Sequence, residues 1–306
     1  MKQKHADYHV VPYSKIRRLL SAFLRRVERT PTIHGLLEVD VTGARTFLRE
    51  HKERTGEALS FTAFIATCLA KAVDEHKVMQ ATRKGRKHLV IFDDVDVYTP
   101  IERDVAGEKL TITYIIRAAN RKTFREINRE IRAAQVQDVT QALEGFKALP
   151  WFLLLPTFLI SWFFGIFWWM LRRDPQLGKK YGGTVGLTAV GMFGEGSGWG
   201  FPAGTPQLNV TVGGIGKKPG VARGQIAIRE YLCLTISFNH EMVDGAPAAR
   251  FTGRLKDLIE SGYGLEDTTI ELEQVVAPGT AQKSESDLHE KEGTLCQPKT
   301  TRLREE

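Results

Sequence analysis

Helices and strands interleave along this chain without a repeating βαβ unit, an order that predicts a mixed α+β fold and not a Rossmann or barrel architecture. Two features support it: a strongly apolar helix opening at Ser60, and strand-like runs between Thr184 and Phe238 that end in a tight turn and a last helix. In order, Ile16, Leu19, Leu20, Phe23, Leu24 and Val27 recur at helical spacing behind Ser14, a natural N-cap, with Arg17, Arg18, Arg25 and Arg26 on the other face. Ile33 to Val41 alternates as a strand, after which Thr42 is placed to cap a short helix. The Ser60 helix buries Phe61, Phe64, Ile65, Cys68, Leu69, Ala72 and Val73, which makes Cys68 a small core residue.

Three β-rich runs follow, His88 to Phe92, Val95 to Ile101 and Leu110 to Arg117, as strands of a growing sheet. Phe124, Ile127 and Ile131 restore helical periodicity. Thr184 to Val190, Gln207 to Gly213, Gln225 to Arg229 and Tyr231 to Phe238 are strand-like, and Gly216 to Gly220 reads as a hairpin connection whose lysines could approach a phosphate. The Gly194 to Gly200 run lacks the ending of a phosphate loop and reads as a flexible loop. A helix from about Ala246 to Ser261 closes the domain, and residues 266–306, polar and short of large apolar side chains, read as a disordered tail.

The formal charge of +7 suits nucleic acid, an anionic membrane surface or a phosphate-bearing ligand, and does not choose among them. Cys68, Cys233 and Cys296 are too widely spaced for a disulfide framework or a zinc site, which fits a reducing cytoplasm. Residues 1–11 lack the apolar core of a secretory signal. His5, His9, His34, His51, His76, His88 and His289 show no metal-ligand spacing, so no metal is expected.

The most informative line is Thr235-Ile236-Ser237-Phe238-Asn239-His240-Glu241-Met242-Val243-Asp244-Gly245-Ala246-Pro247-Ala248-Ala249-Arg250-Phe251, a strand entering a turn and then a helix. A histidine at such a junction faces a cleft. HxxxDG alone is weak, because Asp244 as a helix cap, Gly245 as a turn residue and Pro247 in the first helical turn account for it structurally. The line resembles the DHRxxDGAxAARF-like signature of the dihydrolipoamide acyltransferases of 2-oxoacid dehydrogenase complexes and the shorter HHxxxDG of chloramphenicol acetyltransferases; Asn239 departs from both at the first position. Val11 to Arg18 is similar to the family's PLSxIRK opening, Leu37 to Thr42 to its first strand, Leu59 to Ile65 to its buried helix and Phe92 to Val97 to its next strand. Ile115 to Lys122 is similar to its VIRDADKK run, and Gly183 to Gly194 to GTFTISNLGMFG. In order, these cover most of residues 11 to 262.

The resemblance implies a chloramphenicol acetyltransferase-like fold, a mixed sheet with flanking helices. The domain would be 11–265, preceded by a tail at 1–10 and interrupted by an apolar insertion at 148–171. It implies an acyltransferase in which His240 takes the proton from a thiol of coenzyme A or dihydrolipoamide and the thiolate attacks an acyl thioester. A free thiol has a pKa of about 8.5, so an imidazole within hydrogen-bond reach makes the attack practical near neutrality. Aligned on Gly191 to Gly194, the hydroxyl that stabilises the oxyanion falls on Thr188, where relatives carry serine; a β-branched residue also simply suits a strand. Asp244, with Asn239 and Gly245, would order the active-site loop, and Arg17 is the candidate partner of Asp244. The resemblance further implies a trimer with active sites between subunits, so that the hydroxyl and the histidine need not meet in one chain. Coenzyme A or acyl-coenzyme A would be a substrate. With no lipoyl group on this chain, a separate lipoyl or acyl carrier is a possible partner; no nucleic acid is expected. A catalytically silent scaffold and an acetyltransferase of a small hydroxylated molecule are the alternatives.

Residues 149–171 carry no charge and as a straight helix would be roughly 34 Å long, enough to cross a bilayer core of about 30 Å. A single crossing would put the two halves of the domain on opposite sides. The expectation is therefore a monotopic hairpin or in-plane helix on the cytoplasmic leaflet, flanked by Lys147, Arg172 and Arg173; packing against the domain itself or a neighbouring subunit is the alternative.

Overall fold

The computed structural model describes residues 30–85, 87–105, 108–136, 162, 165–166, 169–170, 173–191, 196–202, 207–222 and 224–266. The Ser14 helix, Arg17 and the tail beyond 266 lie outside them. In chain order the elements are β1 (Thr32–Asp40), α1 (Thr42–Thr55), α2 (Phe61–Glu75), β2 (Thr82–Lys84), β3 (His88–Val90), β4 (Val97–Val105), β5 (Glu108–Ile116), α3 (Phe124–Val136), α4 (Pro175–Gly182), β6 (Val185–Ala189), β7 (Leu208–Ala222), β8 (Gln225–Asn239) and α5 (Gly245–Glu260). Six strands form one mixed sheet in the order β1-β8-β7-β6-β4-β5, with β6 parallel to both β7 and β4 and every other pairing antiparallel. The expected α+β architecture is present.

Alternation along the strands sends Val39, Val185, Leu187, Val210, Leu232, Leu234 and Ile236 to one face, where they form a single core with Phe64, Ile65 and Leu69 of α2, Phe124 and Ile127 of α3, and Phe251 and Leu255 of α5. Ser60 caps α2 by accepting from the Ala63 N–H, and its own N–H donates to buried Asn128 of α3, so the cap also fixes one helix against another. Cys68 is fully buried, and burial pushes its thiol up, which removes it from reactive chemistry. Phe61, expected in the core, is only partly buried at its edge.

Three expectations change. Thr42 is not the N-cap; it is the first residue of α1, a helix of 14 residues, and both its N–H and hydroxyl donate to Asp40. The His88 run does not join the main sheet but pairs with β2 in a separate hairpin. Gly216 to Gly220 is not a connection: Pro219 pairs with Ile228 inside a ribbon that extends β7 and β8, and the turn falls at 222–225. Pro219 is tolerated because the β6 pairing ends at Val212, so beyond that point β7 has a neighbouring strand on one side only among the described residues.

Across the helical layer, Arg254 of α5 grips Glu75 of α2 with Nε 2.6 Å from one carboxylate oxygen and a terminal nitrogen 3.0 Å from the other. This fork holds the Glu75 carboxyl down at about 2. Because the folded pKa is depressed, the pair contributes stability above the unfolded value of about 4.3 and loses it as pH falls toward 2. Exposure limits the effect to less than about 1 kcal/mol. A carbon-detected NMR titration should find Glu75 below the ordinary carboxylate range in the parent and closer to that range in Arg254→Ala, where Lys71 remains beside it.

Candidate active site

β8 carries the HxxxDG line out of the sheet into a tight turn. Buried Asn239 holds the turn at its root: its N–H donates to the Gln207 carbonyl at 2.8 Å, its side-chain oxygen accepts from the Glu241 N–H at 2.9 Å, and its carbonyl accepts from Met242 and Val243. The next N–H, of His240, donates to the Pro31 carbonyl at 2.9 Å, tying the turn to the start of β1. Asn239 therefore orders the loop through its amide group, which an aspartate could match only at the accepting oxygen.

The His240 side chain is exposed, with Nδ1 3.0 Å from the Val243 carbonyl oxygen. A carbonyl only accepts, so that contact places the proton on Nδ1 and leaves Nε2 of the neutral ring as the basic nitrogen. Such a ring is oriented and in the tautomer that a general base requires. Asp244 is exposed; its side chain makes no capping bond to α5, and only its carbonyl does helical work, accepting from Ala248. Gly245 opens α5 without left-handed backbone and with open space where a Cβ would stand, so the turn itself does not require glycine there.

Thr188 lies elsewhere. Alternation on β6 puts it on the sheet face opposite the core, in register with Thr211 of β7, which is in register with Thr235 of β8. His240 is five residues beyond Thr235. At the usual rise and strand spacing, this separates Thr188 from His240 by about 17 Å along the strands and about 10 Å across them. No side chain closes that gap within one copy, so the two residues are not brought together in a single chain.

That second face holds residues that sequence reasoning left without a role. Asn209 donates to the Tyr98 hydroxyl at 2.8 Å and accepts from Thr211, while His34 lies 2.8 Å from the Ser237 hydroxyl and meets Phe201 edge-on. Thr235 Oγ1 is buried without a hydrogen bond among the described residues. The glycine-rich run is not a free loop: Gly196 and Gly198 lie against Gly213 and Gly214, where a Cβ on Gly213 would stand 2.2 Å from the Gly198 oxygen. Small residues on both sides let one backbone cross another at contact.

β2 brings a cation to the histidine turn. Its Thr82 hydroxyl accepts from Gln207, and Arg83 reaches within 3.8 Å of Glu241, with exposed Lys84 beside it. Lys218, by contrast, is engaged by Glu38, so it is not a free phosphate ligand. Among the described residues no three His, Cys, Asp or Glu side chains are placed to hold a metal ion.

The comparison with known proteins agrees with this architecture. Residues 5–144 and 177–265 match the catalytic domain of the 2-oxoacid dehydrogenases acyltransferase family. The lipoamide acyltransferase component of the branched-chain alpha-keto acid dehydrogenase complex of Bacillus subtilis is 26% identical over 259 residues, covering 82% of this chain and 52% of that protein. The dihydrolipoyllysine-residue acetyltransferase component of the pyruvate dehydrogenase complex of Rickettsia conorii is 24% identical over 83% of this chain and 54% of its own length. The chain thus spans about half the length of these curated relatives. In fold, it is similar to a probable dihydrolipoamide acetyltransferase from Listeria monocytogenes, with TM-score 0.61 at 22% identity over 84% of this chain and 96% of that one. A truncated catalytic core of the 2-oxoacid dehydrogenase complex from Thermoplasma acidophilum gives TM-score 0.58 at 20% identity, over 84% of this chain and all of the other. With matched segments on both sides of the apolar insertion and spanning every strand of the sheet, the chain belongs to the 2-oxoacid dehydrogenase acyltransferase family, through its catalytic domain.

Proposed function

We infer that the chain transfers an acyl group between coenzyme A, or a dihydrolipoyl thiol, and an acceptor, with His240 as general base and Thr188 as oxyanion donor. The observation that carries this reading is the His240 ring, exposed at the end of β8 and held through Nδ1 so that Nε2 is its basic nitrogen. Nε2 takes the thiol proton, and the sulfur attacks the thioester carbonyl carbon. The resulting oxyanion accepts a hydrogen bond from the Thr188 hydroxyl. Collapse expels the other thiolate, which recovers the proton from the imidazolium. A hydroxylated acceptor would follow the same steps with oxygen in place of the attacking sulfur.

Because Thr188 and His240 are too far apart within one copy, the reading requires an oligomer in which a neighbour supplies the hydroxyl, and a trimer is the arrangement we infer from the family. Lys84, exposed beside the turn, suits a donor that carries phosphates. The buried thiols of Cys68 and Cys233 suit a reducing, cytoplasmic setting.

The test is release of free thiol from a panel of acyl-coenzyme A donors, with dihydrolipoamide and small hydroxylated molecules as acceptors. Thr188→Val, which keeps the shape and removes the donor, should lower kcat by about 10²–10³ with little change in KM. A Thr188→Val enzyme with parental kcat would remove Thr188 from the mechanism. No turnover with any donor would favour a silent oligomeric scaffold.

A further inference from the structure

The acyltransferase family match breaks off at residue 144 and resumes at 177, so the apolar insertion is an addition to the catalytic fold. The fold closes without it: β4 before the break and β6 after it are adjacent strands, paired at Val97 with Val185. Both ends of the insertion therefore leave from one body and on one side of any bilayer, which excludes a single crossing. Among the described residues no helix is long and apolar enough to span a membrane.

Five described helical positions in this region, Trp162, Ile166, Trp169, Met170 and Arg173, are separated by four, three, one and three residues. At helical spacing they fall within about 100° of one circumference, a single stripe. Its apolar members face outward: Trp162 is 66% exposed, Trp169 57%, Ile166 43% and Met170 41%. The Arg173 guanidinium lies 5.0 Å over the Trp169 ring, so cation and indole share the same end of the stripe. In sequence, the run from Ala148 to Leu171 holds four of the five tryptophans and no charge, and is bounded by Lys147, Arg172 and Arg173.

We propose that this stripe docks the enzyme on an anionic lipid surface, lying in the plane of the interface. Tryptophan prefers the boundary between headgroups and acyl chains, where its ring is apolar and its N–H finds a partner. Arg173, stacked on Trp169, reaches lipid phosphates from the same edge. Large apolar side chains turned outward on a segment that the catalytic fold does not need are explained by a surface that covers them, and the basic residues that border the run in sequence give that surface its sign. The attachment is independent of the chemistry at His240 and fails or stands separately from it.

Flotation of the full chain with vesicles of phosphatidylcholine alone, and of phosphatidylcholine with phosphatidylglycerol, tests the proposal. The parent should float with the anionic vesicles and less with the neutral ones. Trp162→Glu with Trp169→Glu should lower the floated fraction by about tenfold. Arg172→Glu with Arg173→Glu should remove the preference for anionic lipid. In case the tryptophan variant misfolds, brominated phospholipid should quench the emission of the parent protein. Parent protein that neither floats nor is quenched would overturn the proposal, as would flotation unchanged by the tryptophan substitutions. Loss of oligomer in light scattering by that variant, with the parent still unable to float, would assign the stripe to a second copy instead.

Discussion

His240→Ala is expected to lower acyl transfer by at least about a hundredfold while leaving the unfolding transition almost where it was. The two halves of this expectation come from the same geometry. The ring is exposed, and among the described residues it makes one hydrogen bond, to the Val243 carbonyl, which water can replace. The turn is held instead by backbone and by Asn239, through Gln207, Glu241 and Pro31, none of which the substitution touches. Loss of the imidazole thus removes a base and little packing. Steady-state kinetics beside a thermal melt separates the two effects, and a parental rate on a substrate that the parent demonstrably acylates would end the mechanism proposed here.

Gly213→Val should be among the most destabilising single changes, costing about 2–3 kcal/mol in denaturant unfolding or preventing accumulation of folded protein. A Cβ at this position would stand 2.2 Å from the Gly198 oxygen and 2.8 Å from the Cys233 oxygen. Both are backbone atoms in packed segments, so neither can rotate away, and relief requires lifting the glycine-rich run off the sheet or opening the β7–β8 ladder. Gly245→Ala is the control. It meets nothing within 4 Å and needs no left-handed backbone, so its stability should stay within about 0.5 kcal/mol of the parent. Equal stability of the parent and Gly213→Val would show that the crossing is not a constraint on the fold.

The contrast between these glycines shows what the sequence could and could not convey. Apolar periodicity was enough for α2, α3 and α5, because each buries one stripe against the sheet and the stripe is written locally. It also located the strand, turn and helix that carry His240. The β7–β8 ribbon was hidden because Gly216, Pro219 and Gly220 carry turn chemistry, and only the end of the β6 pairing at Val212 explains why a strand tolerates them. The glycine-rich run was hidden for a similar reason: glycines that permit a flexible loop also permit two backbones to touch, and the partner, Gly213 and Gly214, is remote in sequence. The His34 to Ser237 contact joins residues 203 apart and has no local signature. Thr188 could be aligned with a serine of relatives, but its distance from His240 is a property of sheet order, which the sequence leaves unspecified.

That distance supplies the most direct test of the account. If His240 of one copy works with Thr188 of another, His240→Ala and Thr188→Val chains, each impaired alone, should regain activity when co-assembled. In a randomly mixed ring with head-to-tail sites, about a quarter of the sites would pair an intact histidine with an intact threonine. Acyl transfer from a coenzyme A thioester should therefore recover to about a quarter of the parental rate in tagged, co-purified mixed oligomers. Mixed oligomers no more active than the better single variant, alongside an active parent, would contradict a site shared between copies.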